Sequence, residues 1–258
     1  MRKRYFFFDI DGTLAIGPAE GRYVPESTAY ALNELQRQGH AVAICTGRAH
    51  AMARPYMESL GLTDMVCDGG NGVVMGGKLV ELKPLDREAC IRVLEECDRK
   101  GILWGISCED SQERLTRDPH FLDAVHDAYM HTTVNPSLDF HTIPQFYKLF
   151  ILCKSQEESR LETLSQVPRV RFSPSVLFVE PINKGRGVRR MMAHYGAALE
   201  DAVVFGDGTN DLSMFLPDWT CIAMGNAVPA LKARADYVTA DADKDGILLA
   251  CRHFGWIS

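Results

Sequence analysis

Apolar positions fall into short unbroken runs separated by helically spaced segments at both ends of the chain, and into a different rhythm between them. Residues 4–9, Arg-Tyr-Phe-Phe-Phe-Asp, carry aromatic side chains without alternation, the pattern of a strand buried on both faces. A stretch bearing glycine and proline, 12–25, leads to a predicted helix over 26–38, closed by Gly39. A second apolar strand spans 40–45, and a second helix, interrupted by Pro55, spans 49–60 with Gly61 behind it. A third strand, 65–67, is followed by Asn71-Gly72 and Gly76-Gly77, the turn residues of a hairpin.

The spacing then changes. It predicts a helix over 86–100, strands over 102–108 and 113–116, a helix over 118–129, a strand over 146–153, a helix over 156–164, and strands over 170–172 and 176–179. This order suits a sheet with helices on one face. From Lys184 helix and strand alternate again: helices 185–195, 209–216, 228–234 and 244–254, and strands 202–205, 220–223 and 237–238. The expected architecture is α/β: a Rossmann-like parallel-sheet core from residues 1–82 and 183–258, with an α+β domain inserted at 83–182. No internal repeat or low-complexity segment interrupts it.

The chain has 258 residues, 46% hydrophobic and 24% charged, which suits one or two folded domains rather than disorder. A net charge of −6 supplies no global basic field, so no nucleic-acid partner is expected. The longest stretch free of Asp, Glu, Lys and Arg is thirteen residues, Trp219 to Leu231. A membrane span needs about 20, so no membrane partner is expected. Asp9 and Asp11 break the N-terminal apolar run too early for a signal peptide. None of the eight cysteines form a C-x-x-C pair and several sit in apolar runs, which reads as buried free thiols in a reducing cytoplasm. A monomer or weak homo-oligomer is expected.

Candidate chemistry gathers at strand ends and helix starts, where open α/β sheets bind ligands. Asp9-Ile10-Asp11-Gly12-Thr13 follows the aromatic strand. Two carboxylates there face one cavity or a solvated turn, and burying both requires a cation. Gly12 frees the backbone to aim N–H groups at an anion. At Cys45-Thr46-Gly47-Arg48 a hydroxyl and a helix start form either an anion seat or a plain cap. Arg48 opposes the dipole of the helix it precedes. Lys184, after Asn183, opposes a helix dipole unless it serves an anion, whereas Arg186, Arg189 and Arg190 read as a solvated face. Gly206-Asp207-Gly208-Thr209-Asn210-Asp211 follows another apolar strand and offers oxygen ligands suited to Mg²⁺.

Together these four segments resemble the haloacid dehalogenase superfamily of phosphohydrolases: D-x-D-G-T, an apolar strand ending in Thr, a Lys, then G-D-x-x-N-D. Asn71-Gly72 and Asn183-Lys184-Gly185 are similar to the Cof-like sugar-phosphatase branch, and the insertion resembles its large α/β cap. The resemblance implies Asp9 as nucleophile forming an aspartyl-phosphate, with Asp11 as general acid and then base. It implies Mg²⁺ held by Asp9, the Asp11 carbonyl and Asp207, with Asp211 close by or through water. Thr46 and Lys184 would grip the phosphoryl group. Ile10 and Gly47 would also bind it, Asn210 would help position it or the loop, and Arg48 would add a contact. Hinges at 82–84 and 181–183 would let the cap open and close. The implied function is a Mg²⁺-dependent phosphatase of small phosphorylated metabolites, sugar phosphates foremost, and the implied partner is that small-molecule phosphoester.

Charge supports the metal. Four aspartates meet a dianionic substrate, and unit charges 4 Å apart at an effective dielectric near 20 interact by about 4 kcal/mol. Lys184 alone does not offset several such repulsions. Asp241-Ala-Asp243-Lys-Asp245-Gly246 copies half of an EF-hand loop, but Arg252 stands where a bidentate Glu is required, so capping of the last helix is expected instead. Histidines 120, 126, 131 and 141 are too irregular for zinc, and Trp104 and Tyr129 read as packing residues. Two other functions remain open: a phosphomutase or phosphotransferase sharing the aspartyl-phosphate step, and a regulator that binds a phosphoester without cutting it.

Overall fold

An aromatic strand with helices on both sides organises the first part of the chain. The structure, a computed structural model, describes residues 2–18, 21–125 and 130–258. In chain order it begins with β1 (Tyr5–Phe8), α1 (Glu26–Arg37), β2 (Ala41–Cys45), α2 (His50–Ser59), β3 (Asp64–Cys67), β4 (Gly72–Met75) and β5 (Lys78–Leu82). The middle holds α3 (Arg87–Lys100), β6 (Trp104–Ser107), β7 (Glu113–Thr116), α4 (Phe121–Ala124), β8 (His131–Val134), β9 (Lys148–Ile151), β10 (Arg169–Ser173) and β11 (Val176–Val179). The end adds α5 (Lys184–Tyr195), β12 (Ala202–Gly206), β13 (Thr220–Ala223), α6 (Pro229–Lys232), β14 (Tyr237–Val238) and α7 (Gly246–His253). Contacts divide the chain into two units. Met1–Arg48, Ala53–Glu81 and Asn183–Ser258 form one, and Ala49–Met52 with Leu82–Ile182 the other.

The first unit contains an eight-stranded sheet in the order β14-β13-β12-β1-β2-β3-β4-β5. Pairing is parallel from β14 through β3, and β4 runs antiparallel to β3. The unbroken aromatic run of β1 has a simple cause. Phe6 and Phe8 pack on one face with Leu32, Leu35 and Ile247, while Phe7 packs on the other with Val188, Met191 and Trp219. All three rings are fully buried, each stabilising the core by roughly 1.5–3 kcal/mol. In register, Phe8 lies opposite Ile44 of β2 and Phe205 of β12, so the loops after these strands leave the sheet side by side.

The second unit is a six-stranded sheet in the order β10-β11-β9-β6-β7-β8, antiparallel except for the parallel β7–β8 pair. Its core joins Val93, Leu94 and Cys97 of α3 to Ile106, Leu149, Ile151 and Leu177 on one sheet face. Trp104 packs here, edge-on to Phe140, with its indole N–H donated to Asp98.

Four segments differ from the sequence pattern. The edge strand β8 carries no apolar run, because alternate residues are exposed. The helix expected over 118–129 is α-helical only at Phe121–Ala124. Val125 is extended, and residues 126–129, with His126 and Tyr129, lie outside the described residues. The helix expected over 209–216 is a short 3₁₀ turn, Thr209–Ser213. The helix expected over 156–164 is two 3₁₀ turns, Ser155–Arg160 and Glu162–Gln166, split at an extended Leu161.

Glu96 explains that last break. Its carboxylate, 3% exposed, accepts from the backbone N–H of Glu162 (3.1 Å) and Thr163 (2.9 Å), the Thr163 hydroxyl (2.5 Å) and Lys100 (2.6 Å). N–H groups that would continue a helical ladder are captured by α3 instead. Burial pushes the Glu96 carboxyl up, but these donors more than reverse it and bring it down to about 2, from an ordinary 4.5. A carboxyl held low in the folded state stabilises above its unfolded pKa, and that contribution is lost as pH falls. Glu96→Gln is therefore expected to destabilise the second unit by roughly 1–3 kcal/mol at pH 7. Urea unfolding at a series of pH values checks this, with the deficit shrinking as pH falls from 4.5 toward 2, where Glu96 itself becomes neutral.

Candidate active site

The aspartates at the carboxyl ends of β1 and β12 are brought together by strand register. Asp9 follows β1, its N–H bonded to the Phe205 carbonyl (3.1 Å), and Asp207 follows β12. Asp9 is 3% exposed and Asp211 fully buried, and oxygens of Asp9, Asp207 and Asp211 lie within 4.8 Å of one another. Gly12 makes the approach possible. Its φ is +89°, and a Cβ there would lie 2.2 Å from Asp207 Oδ2. Thr13 donates to Asp207 Oδ1 (2.8 Å), linking the two loops.

Lys184, the first residue of α5, enters this cluster. Its Nζ, on a side chain 1% exposed, donates to Asp9 Oδ1 (2.5 Å) and Asp211 Oδ1 (2.6 Å). The other oxygen of Asp211 accepts from the backbone N–H of Asp207 and Gly208, both at 2.9 Å. Asp211 thus holds the lysine with one oxygen and folds the loop with the other, which is why that segment is a tight turn. Ser213 completes the tie, accepting from Lys184 N (3.0 Å) and donating to the Asn210 carbonyl (3.2 Å).

Charge in the cluster is unbalanced. Burial raises Asp9 to about 7, against the opposing pull of Lys184, with Asp211 and Asp207 adding to the rise. Burial likewise raises Asp207 to about 6, although Thr13 bonds it. Burial alone would lower Lys184, but Asp211 and Asp9 more than offset it and hold it charged.

Asp11 lies apart from the triad, 38% exposed, with Arg48 bidentate on it: Nε to Oδ2 at 2.8 Å and Nη2 to Oδ1 at 2.6 Å. Arg22 pairs with the same carboxylate. Arg48 precedes α2 and stacks 4.9 Å from the centre of the Tyr56 ring, so the cation that looked misplaced against a dipole is held by Asp11 and an aromatic face. Thr46 is buried, and its hydroxyl accepts from Arg48 N (3.1 Å). Ile10 buries its side chain in the core, leaving only its backbone to the loop. Asn210 is exposed, and a Cβ on Gly47 would lie 3.9 Å from its amide nitrogen.

Sequence reasoning passed over Arg22, Thr13 and Ser213. Thr13 stands in D-x-D-G-T and could have been found from it. Arg22 lies in an irregular loop, where spacing says nothing. Arg186, Arg189 and Arg190 are tied to Asn71, Asp218 and Glu81 rather than simply solvated. Asp245 stands at the start of α7 without a side-chain cap bond, contrary to the capping expected, and Lys244 pairs with Asp241. Among the described residues, the acidic triad alone forms a cluster able to hold a metal, the described cysteines are unpaired, and no helix is long and apolar enough to cross a membrane.

Residues 6–250 match the model of the haloacid dehalogenase-like hydrolases. The chain belongs to that family. Within these haloacid dehalogenase-like hydrolases it is 33% identical to the candidate phosphatase YkrA of Bacillus subtilis, over 99% of each chain. The crystal structure of a protein from Geobacillus kaustophilus HTA426 superposes with a TM-score of 0.84 at 30% identity, covering 99% of this chain and 100% of that one. A sugar phosphatase of haloacid dehalogenase subclass IIB superposes with a TM-score of 0.79 at 27% identity, over 99% and 100% of the two chains. The fold is haloacid dehalogenase-like, and the enzyme class is that of the phosphatases.

Replacing the central cation tests its structural role in this haloacid dehalogenase-like hydrolase. Lys184→Met keeps length but leaves Asp9 and Asp211 buried without a countercharge, and is expected to cost about 3–5 kcal/mol in metal-free protein at pH 8. Urea unfolding checks this, and the loss shrinks as pH is lowered, because the orphaned carboxylates take up protons.

Proposed function

We propose that the protein is a Mg²⁺-dependent phosphatase of small phosphorylated metabolites, sugar phosphates foremost, working through a phosphoryl group carried on Asp9. The observation that supports it is the meeting of three aspartate oxygens within 4.8 Å around the buried Lys184. The donor set is hard oxygen, anionic and short of positive charge, which fits Mg²⁺. Asp9, Asp207 and the Asp11 carbonyl would hold the ion, with Asp211 behind them, and it would neutralise charge on the transferring phosphoryl group. The sugar-phosphate assignment draws on the subclass IIB sugar phosphatase that the chain resembles.

In this reading Asp9 Oδ attacks phosphorus while the alcohol oxygen departs opposite it. Lys184 keeps Asp9 oriented and donates to phosphoryl oxygens. Thr46, one residue beyond β2, donates its hydroxyl to the same group, and Asn210 steadies it from the neighbouring loop. Asp11 gives a proton to the leaving alcohol, and then takes one from the water that attacks the phosphoryl-Asp9. A substrate phosphate also offers Arg48 and Arg22 an alternative anion to Asp11, and so releases that carboxyl for proton transfer. The pairing of Asp9 with the buried Lys184, with a second carboxyl two residues on at Asp11, favours turnover over mere sensing of a phosphoester.

Phosphate release from a panel of sugar phosphates and p-nitrophenyl phosphate, with Mg²⁺ and with EDTA, tests the reading. Release is expected only with Mg²⁺, falling by on the order of 10³-fold or more in Asp9→Asn. Release that survives EDTA or Asp9→Asn sinks it, and consumption of ester that requires a second alcohol, without free phosphate, assigns a transferase instead.

A further inference from the structure

Helix α5 carries Lys184 as its first residue, so any slide or turn of the helix moves that ammonium group. The helix rests on the turn after β3. A Cβ on Gly70 would lie 2.0 Å from the Asn183 carbonyl oxygen, and one on Gly187 would lie 2.9 Å from Gly70 Cα. Close contact of this kind sets the spacing, whereas hydrogen bonds set the position along the axis. Two donors on α5 supply them. Asn183, which caps the helix by accepting from Arg186 N (2.9 Å), donates its own N–H to the Gly69 carbonyl (2.9 Å). Further along, Arg190 Nη1 donates to the next carbonyl, that of Gly70 (2.9 Å). The stretch between the two donors spans roughly 10 Å of helix axis. The Arg190 side chain bridges it by leaning back toward the helix N-terminus, as helical side chains do.

Arg190 is itself held. Its Nε donates to Glu81 Oε2 (2.8 Å), and Nη2 lies against the same carboxylate. Glu81 belongs to β5 and is the last residue of the first unit before the chain leaves it. One planar fork thus serves a carboxylate along one edge and a backbone carbonyl with another nitrogen, which the single ammonium of a lysine does not reproduce. The turn passes the constraint on. Gly69 N donates to the Thr46 carbonyl (3.2 Å) and Asp68 N to the Arg48 carbonyl (2.8 Å). A chain of contacts therefore runs from Glu81 through Arg190 to the turn, and from the turn to Thr46 on one side and to the start of α5 on the other.

We infer that Arg190, with Glu81 behind it, is a positioning residue for Thr46 and Lys184: it fixes the helix that carries one against the turn that holds the other. This rests on the phosphatase reading, in which those two side chains grip the phosphoryl group. It adds to that reading a residue that spacing alone places on a solvated face. A misplaced grip weakens the transition state more than the bound ester, so the effect belongs in kcat rather than in KM.

The test measures kcat and KM for p-nitrophenyl phosphate with Mg²⁺ in wild type, Arg190→Met, Arg190→Lys, Glu81→Gln and Arg189→Met, with circular dichroism and urea unfolding to report folding and stability separately. Arg190→Met is expected to lower kcat by about tenfold or more, with KM within about threefold of wild type. Arg190→Lys keeps the charge but not the fork, and its kcat stays about threefold or more below wild type. Glu81→Gln lowers kcat in the same direction by less than Arg190→Met. Arg189→Met removes an ion pair with Asp218 from the same helix and leaves both constants within about twofold of wild type. If Arg190→Met is folded and keeps kcat within about twofold, whatever its stability, Arg190 only packs and the positioning role is overturned while the phosphatase reading stands. Where Arg190→Met does not fold, Arg190→Lys decides by the same criterion. An equal loss of kcat in Arg189→Met also overturns the role, because it assigns the effect to the helix as a whole. If wild type hydrolyses no ester, p-nitrophenyl phosphate included, both readings fall.

Discussion

One ammonium group buried between two carboxylates is the constraint around which the first unit is arranged. Taking Lys184 out of water costs several kcal/mol, and only close pairing with Asp9 and Asp211 offsets it. The dependence runs both ways, since neither aspartate could stay buried beside the other without the lysine. Delivering that side chain requires α5 to start deep in the unit, against its own dipole. Small residues allow it: a Cβ on Gly185 would lie 2.3 Å from the Ser213 carbonyl oxygen, and one on Gly187 the same distance from Val66 Cγ1. Helix start, loop and sheet are packed without room for a side chain there, so the charge cluster and the close packing enforce one another.

The turn after β3 does the corresponding work for the side that carries Thr46. Asp68, Gly69 and Gly70 are all left-handed, with φ of 48°, 55° and 98°. For Asp68 that conformation costs about 1 kcal/mol or more. What it secures is register. Asp68 N and Gly69 N bond the carbonyls of Arg48 (2.8 Å) and Thr46 (3.2 Å), while the Gly69 carbonyl accepts from Asn183 N (2.9 Å). A side chain at Gly70 would collide with the Asn183 carbonyl, 2.0 Å from its Cβ. Three left-handed residues thus fix where Thr46 and Lys184 sit relative to each other, and neither position is free to drift independently.

Legibility in the sequence followed burial. The β1, β2, β12 and β13 runs were readable because a parallel sheet covered on both faces is apolar at every position. The aspartates and Lys184 were readable because such residues at strand ends and helix starts are costly unless used. The short turns at 155–166 and 209–213 were not, since each looks helical by spacing; the first is split where Glu96 captures the N–H groups of Glu162 and Thr163, and the second is drawn back by Asp211 onto the N–H groups of Asp207 and Gly208 before it. Asp211 lies within the turn it shapes, while Glu96 acts from α3, far away in sequence. Strand β8 and Arg22 escaped for a related reason: an edge strand and an irregular loop have no period, and their partners are set by tertiary structure alone.

The choice of cations around the site follows the same physics. Inside, three carboxylates converge and the available space admits a point charge on a flexible stem, which is lysine. Outside, Asp11 is partly solvated and must be held in a defined plane, which suits the fork of Arg48 and a second guanidinium from Arg22. An arginine pairing of this kind is firm enough to orient a carboxylate, yet a phosphate dianion can compete for the same donors. Lys184 has no such freedom, enclosed as it is between Asp9 and Asp211. In the proposed mechanism, fixed charge at Asp9 and exchangeable charge at Asp11 would suit the two steps of phosphoryl transfer. That mechanism would need Asp9 to stay in place between the steps and Asp11 to turn from the alcohol to the water.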